Sequence, residues 1–109
     1  MEPIKLEEEI GLRRESRVDK ILRQLQDKGV IRGFVKSSKR DSTDRQGIDF
    51  VVVKVGRTFY EVFPVQVTGR NWVKNHKEKH PQVPIVVVEY SISDEQIQKE
   101  IVEILTLRS

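Results

Sequence analysis

Four side chains in this sequence have the types and spacing to act on a phosphate: Glu15, Asp49, Gln66 and Thr68. A turn centred near Gly56 and Arg57 folds the flanking β-rich runs into a hairpin, which sets Asp49 roughly opposite the stretch from Pro64 to Gln66. Side chains alternate along a strand, so Gln66 and Thr68 share one face while Val65 and Val67 take the other. Glu15 precedes Val18 by three residues and Leu22 by seven, on or beside the apolar stripe of a helix. An aspartate, a glutamate and an amide oxygen suit Mg²⁺ or Mn²⁺, hard cations that take oxygen ligands and keep several waters. Such an ion polarises a phosphodiester and lowers the pKa of a bound water.

The elements that must position these groups can be read along the chain. Val18, Ile21, Leu22 and Leu25 fall at helical spacing within Arg14–Lys28, and Gly29 stands where a C′ glycine ends a helix. Gly11 leaves open where that helix begins. Val30–Val35 reads as a strand and residues 37–46 as a polar loop. Ile48–Val55 and Thr58–Val67 form the hairpin, with Pro64 expected at a bulge or an unpaired position because it has no N–H to donate. Asn71–His80 reads as a helix stopped by Pro81. Ile85–Tyr90 is an apolar run of the kind buried on both sheet faces. Ser93 caps a final helix striped by Ile97, Ile101, Ile104 and Leu105. The expected order is α-β-β-β-α-β-α, an α/β fold over residues 1–109 as a single domain.

Composition narrows the function classes. With no cysteine among 109 residues, a disulfide scaffold, a cysteine nucleophile and a thiolate metal site are excluded. The longest apolar runs fall far short of the roughly 20 residues that span a bilayer, so a cytoplasmic protein without a membrane partner is expected. Charged residues are 34% of the chain but balance to only +3, so distribution carries more than total. Basic stretches run from Arg32 to Arg45 and from Arg70 to His80; acidic groups gather in Glu7–Glu9 and Asp94–Glu103. Arg70, Asn71, Lys74 and Lys77, joined by Lys79 and by Lys36, Lys39 and Arg40, are the expected phosphate contacts, with the N-terminus of the basic helix adding backbone N–H groups. A charge-rich, cysteine-free chain also matches the solvated surface of a thermophilic protein. His76 and His80 are four apart, a metal-binding spacing that lacks a third ligand. Trp72 is read as a core, interface or stacking residue.

Gly47-Ile48-Asp49-Phe50, the hairpin, Val65-Gln66-Val67-Thr68, the basic helix and Pro84-Ile85-Val86-Val87-Val88 together resemble PD-(D/E)XK nucleases of the archaeal Holliday junction resolvase and Mrr type. The resemblance runs from Glu15 through the last helix. It implies a restriction-endonuclease-like core, a mixed central sheet flanked by helices. It also implies metal ligation by Asp49, Glu15 and Gln66, the last at the family's acidic position, and a two-fold homodimer with an apolar sheet edge or Trp72 at the contact. Thr68 stands where the family has its lysine and carries no positive charge to orient water or offset charge developing on phosphate. The leading expectation is thus a protein that binds nucleic acid, DNA before RNA, on a nuclease-like core with a degraded catalytic motif. Two alternatives stand beside it: an active Mg²⁺-dependent endonuclease in which Lys54, Lys36 or Lys74 replaces the missing lysine, and a protein–protein module that kept only the fold.

Overall fold

The structure, a computed structural model, describes residues 6–37 and 47–107, and side chains from residue 10 onward. It is an α/β fold with elements in the order read from the sequence: α1 (Leu6–Asp27), β1 (Gly33–Lys36), β2 (Phe50–Val55), β3 (Tyr60–Thr68), a 3₁₀ turn (Arg70–Trp72), α2 (Val73–Lys79), β4 (Ile85–Val87) and α3 (Asp94–Leu107). The four strands form one mixed sheet in the order β1-β2-β3-β4; only β3 and β4 run parallel. A parallel neighbour requires a crossover, and the 3₁₀ turn with α2 supplies it.

One apolar cluster holds the fold together. Val18, Ile21, Leu22 and Leu25 from α1 and Ile97, Ile101 and Leu105 from α3 are buried against Phe50, Val52, Phe63, Val65, Val67, Val86 and Val88. Both helices therefore lie on the same sheet face. Each fully buried side chain of this size contributes roughly 1.5–3 kcal/mol, so the cluster dominates stability.

The helix ends follow their residue chemistry. At the end of α1 the Val30 N–H donates to the Leu25 carbonyl (2.9 Å) and the Gly29 N–H to that of Gln26 (3.0 Å), with Gly29 at φ +79°. This paired closure needs a left-handed residue, which glycine adopts without a Cβ clash. At the start of α3 the Ser93 Oγ accepts from the Gln96 N–H at 3.1 Å.

Several boundaries differ from expectation. The start of α1, left open at Gly11, is Leu6: the helix passes through the glycine without a break, because the ~1 kcal/mol that glycine costs in a helix is small beside the packing of the buried stripe. β1 begins at Gly33 rather than Val30, whose N–H is spent closing α1. α2 begins at Val73, after the 3₁₀ turn, rather than at Asn71. β4 stops at Val87; it buries Val86 but leaves Ile85 and Val87 half-covered, so it is not sealed on both faces. Of the α3 stripe, Ile104 is half-buried rather than core. Pro64, expected at a bulge or an unpaired position, takes the second: it sits opposite Val51 in a regular ladder, with no bulge. The Gly56 N–H donates to the Phe59 carbonyl at 2.9 Å, which fixes the hydrogen-bonded pairs at the even residues of β2. Val51–Pro64 is then a non-hydrogen-bonded pair. The proline nitrogen faces away from β2, at a point where β3 has not yet met β4.

Candidate functional site

The paired registers end at Lys36–Phe50 and Phe50–Val65, with Ser37 and Asp49 just beyond them, while Gln66 pairs with Ile85 of β4. Because Val65 points into the core, Gln66 points to the opposite face. Thr68 lies two residues along the same face. The structure thus brings Asp49, Gln66 and Thr68 to one end of the sheet, with Gln66 and Thr68 sharing a face. Gln66 and Thr68 are only 7% and 5% exposed.

The local bonding shows what holds them. β2 parts from β3 just before Phe50, where the Asp49 N–H reaches the Val65 carbonyl at 2.9 Å rather than the regular partner. Val67 consequently has no carbonyl opposite it. The Asp49 Oδ2 takes that place, accepting from the Val67 N–H at 2.7 Å, while Gln66 Nε2 leans toward the Val67 carbonyl at 3.4 Å. Asp49 therefore completes the ladder with a charged acceptor, a stronger bond than a neutral one. The Ser37 N–H bonds the Asp49 carbonyl at 2.8 Å. Among the described residues, Gln66 Oε1 and Ser37 Oγ are buried with no hydrogen-bond partner. A buried acceptor left unsatisfied costs about 1–3 kcal/mol, so these two atoms mark a place where water or a ligand atom is favoured.

Glu15 is half-buried on α1 and is engaged in an interaction of its own. Among the described residues no three His, Asp or Glu side chains converge on a point that an ion could occupy. Asp49 and the Gln66 amide are the oxygen-bearing pair at this sheet end, and one carboxylate oxygen of Asp49 already serves Val67. His76 and His80 gain no third ligand. The His80 ring instead covers Gly47, whose φ of +76° and missing Cβ make room for it; a Cβ there would overlap the ring. Burial first, then the neighbouring His80 and Lys79, hold the His76 imidazole below its ordinary pKa of 6.5.

The replacement lysines separate by position. Lys54 lies five residues up β2 from Asp49, roughly 17 Å at strand rise, opposite Glu61 and on the other sheet face. Lys36 pairs with Phe50, also of opposite facing, and is exposed on the edge strand. Lys74 is exposed on α2. Lys39 and Arg40 lie outside the described residues.

The basic crossover forms a second surface. Arg70, Lys74 and Lys77 recur at i, i+4 and i+7, all exposed, and line a shallow cavity of about 610 Å³ with Val73 and Glu78. Asn71 and Trp72 are exposed beside them. Trp72 is therefore not a core residue. The Arg70 backbone N–H is bonded to Glu89 Oε1 at 2.5 Å, so it is not offered to a ligand.

Two residues that pattern reading missed position this end of the sheet. The Arg14 guanidinium lies against Gly69, donates from Nε to the Val88 carbonyl at 3.0 Å and faces Glu89 Oε2 at 3.7 Å. Arg17 bonds the Glu89 carbonyl (2.9 Å), the Ile92 carbonyl (2.6 Å) and Asp94 Oδ1 (2.9 Å). Together they tie α1 to the link between β4 and α3. Nothing local marks them, since their partners are more than 70 residues away.

Comparison with protein-family models, with curated proteins and with solved structures finds no match to this chain. Among the described residues no helix is long and apolar enough to cross a membrane.

Proposed function

We propose that this chain binds nucleic acid, with DNA the first substrate to test, through the basic crossover on a restriction-endonuclease-like core whose catalytic motif is degraded. The observation that carries the reading is that exposed Arg70, Lys74 and Lys77 together line the shallow cavity. Three cations in line track a phosphate backbone, and neutralising phosphates releases condensed counterions. Asp49 acts in this reading as the residue that closes the ladder, and Thr68 supplies no charge to a reacting phosphate. Shape and backbone charge, rather than base edges, set the preference.

A second reading rests on the unpartnered Gln66 Oε1 beside Asp49. In an active Mg²⁺- or Mn²⁺-dependent endonuclease that oxygen and the Asp49 carboxylate would hold the ion, which would polarise the phosphodiester, with Lys74 as the displaced lysine. Cleavage of labelled duplex, single-stranded and branched DNA with either ion, beside electrophoretic binding at low salt, separates the readings. Binding without cutting is expected. Cutting abolished by Asp49→Asn in a folded protein would establish the second reading, and absence of binding at low salt would overturn both.

A further inference from the structure

The sheet ends at β4, and among the described residues no strand lies beyond it. The Gln66 N–H donates to the Pro84 carbonyl and the Val88 N–H to the Thr68 carbonyl, both at 2.9 Å. Even-numbered residues of this segment therefore turn their backbone groups to β3, and Ile85 and Val87 turn theirs to the open edge. Native edges are ordinarily blunted by a charged side chain, a bulge or a proline. β1, at the other edge, carries Lys36. Ile85-Val86-Val87 carries no charge, its register to β3 is unbroken, and Pro84 has its backbone on the β3 side, where it blocks nothing outward.

α3 closes one side of this edge. Its Ile104 and Leu107 line a cavity of about 330 Å³ together with Pro84, Ile85 and Val87, and its Glu100 and Glu103 complete the wall. Leu107 is 82% exposed, a large apolar side chain at the mouth of the cavity. No cation lines the cavity, and among the described residues neither glutamate forms an ion pair. We propose that the edge binds an extended segment of a partner protein, which joins the sheet beside β4 as a fifth strand and presents apolar and basic side chains on one face. The N–H and C=O groups of Ile85 and Val87 hold the segment's main chain, and alternate side chains turn toward α3. There a valine or isoleucine meets Ile104 and Leu107, and a lysine or arginine meets Glu100 and Glu103. An acidic segment would set like charges together. Nucleic acid is repelled by the same glutamates, so this edge stands independently of the basic crossover.

Fluorescence anisotropy on the full chain tests it, with the labelled peptide Lys-Thr-Val-Thr-Ile-Thr-Lys, one face of which reads Lys, Val, Ile, Lys. Saturable binding is expected. N-methylation of the three central amides, which removes the main-chain donors, and exchange of both lysines for glutamate should each weaken it about tenfold or more. On the chain, Val87→Pro removes an edge-facing N–H without costing a bond to β3. It and Glu100→Gln/Glu103→Gln should raise the dissociation constant by a similar factor, about tenfold, with circular dichroism unchanged. Should Val87→Pro fail to fold, the N-methylated peptide gives the same reading on the natural chain. No saturable binding, or binding indifferent to N-methylation, would overturn the proposal. So would two other occupants of the edge. A peptide that binds only once residues 1–5 are deleted, or residues 38–46 replaced by glycine and serine, would assign the edge to the chain's own segment. A natural chain that sediments as a dimer and becomes monomeric in Val87→Pro would assign it to a second copy. DNA binding by a chain that takes no peptide would leave the function proposed above standing, and peptide binding by a chain that takes no DNA would do the reverse.

Discussion

Asp49→Ala is the perturbation that separates a ladder-closing aspartate from one placed solely for chemistry. The Val67 N–H it serves belongs to a buried residue, at a point where β2 has already turned away and no carbonyl can take over. Removing the acceptor leaves a buried donor unsatisfied, at about 1–3 kcal/mol, with the upper half favoured because the lost bond is to a charged group. Taking about 2 kcal/mol, and a shift of about 4–8 °C per kcal/mol for a domain of this size, Asp49→Ala should lower Tm by about 10 °C. Asp49→Asn keeps an acceptor oxygen in place and loses only the charge, so about half that shift is expected. Thermal unfolding followed by circular dichroism, at neutral pH and with no divalent ion added, reads both. An Asp49→Ala chain that melts within a degree or two of the natural one, or higher, would rule out a ladder-closing role for the carboxylate.

Further outcomes follow from other parts of the fold. Gly47→Ala should cost about 1–3 kcal/mol for its positive φ, and more while His80 covers the position; a double-mutant cycle with His80→Ala, followed by urea denaturation, should recover only the contact part. Ser93→Ala should lower stability by about 1 kcal/mol, because the Gln96 N–H loses its cap; Ser93→Asp should retain it. His76 is held below its ordinary pKa, so the unfolded chain takes up a proton that the folded chain resists. Stability present above about pH 6.5 should therefore fall as pH drops through that value toward the lowered folded-state pKa. His76→Gln should flatten that part of a melting-temperature profile, and an unchanged profile would remove His76 as its source.

Much of the fold was legible because its signals are local. The α1 stripe of Val18, Ile21, Leu22 and Leu25 is buried to the last residue, and Gly29 and Ser93 do at their helix ends what their chemistry indicates. The hairpin turn at Gly56 and Arg57 fixed the register well enough to set Asp49 beside Gln66. What escaped was set by tertiary arrangement. Which of the two settings expected for Pro64 applies was one such feature: it takes the unpaired position rather than a bulge, because β4 joins β3 only from Gln66 onward. Arg14 and Arg17 looked like solvated charges on a chain rich in them, yet they bind carbonyls from the far end of the sequence. The open edge of β4 was hidden for a related reason: an apolar run such as Ile85–Tyr90 does not reveal which of its sides are covered. For the candidate site, residue types brought Asp49, Gln66 and Thr68 to one sheet end, but only the geometry shows that Asp49 carries a structural hydrogen bond.

The most direct test of nucleic-acid binding through the basic crossover is the salt dependence of DNA affinity for the natural chain and for Arg70→Gln/Lys74→Gln/Lys77→Gln. Three phosphate contacts correspond to a slope of about −2.7 in log K against log salt on duplex DNA. The natural chain should show at least that slope, and the triple variant should lose most of it together with the affinity while its unfolding temperature stays the same. A natural chain that binds no DNA at low salt, or a folded triple variant with affinity and slope unchanged, would contradict the assignment of this surface.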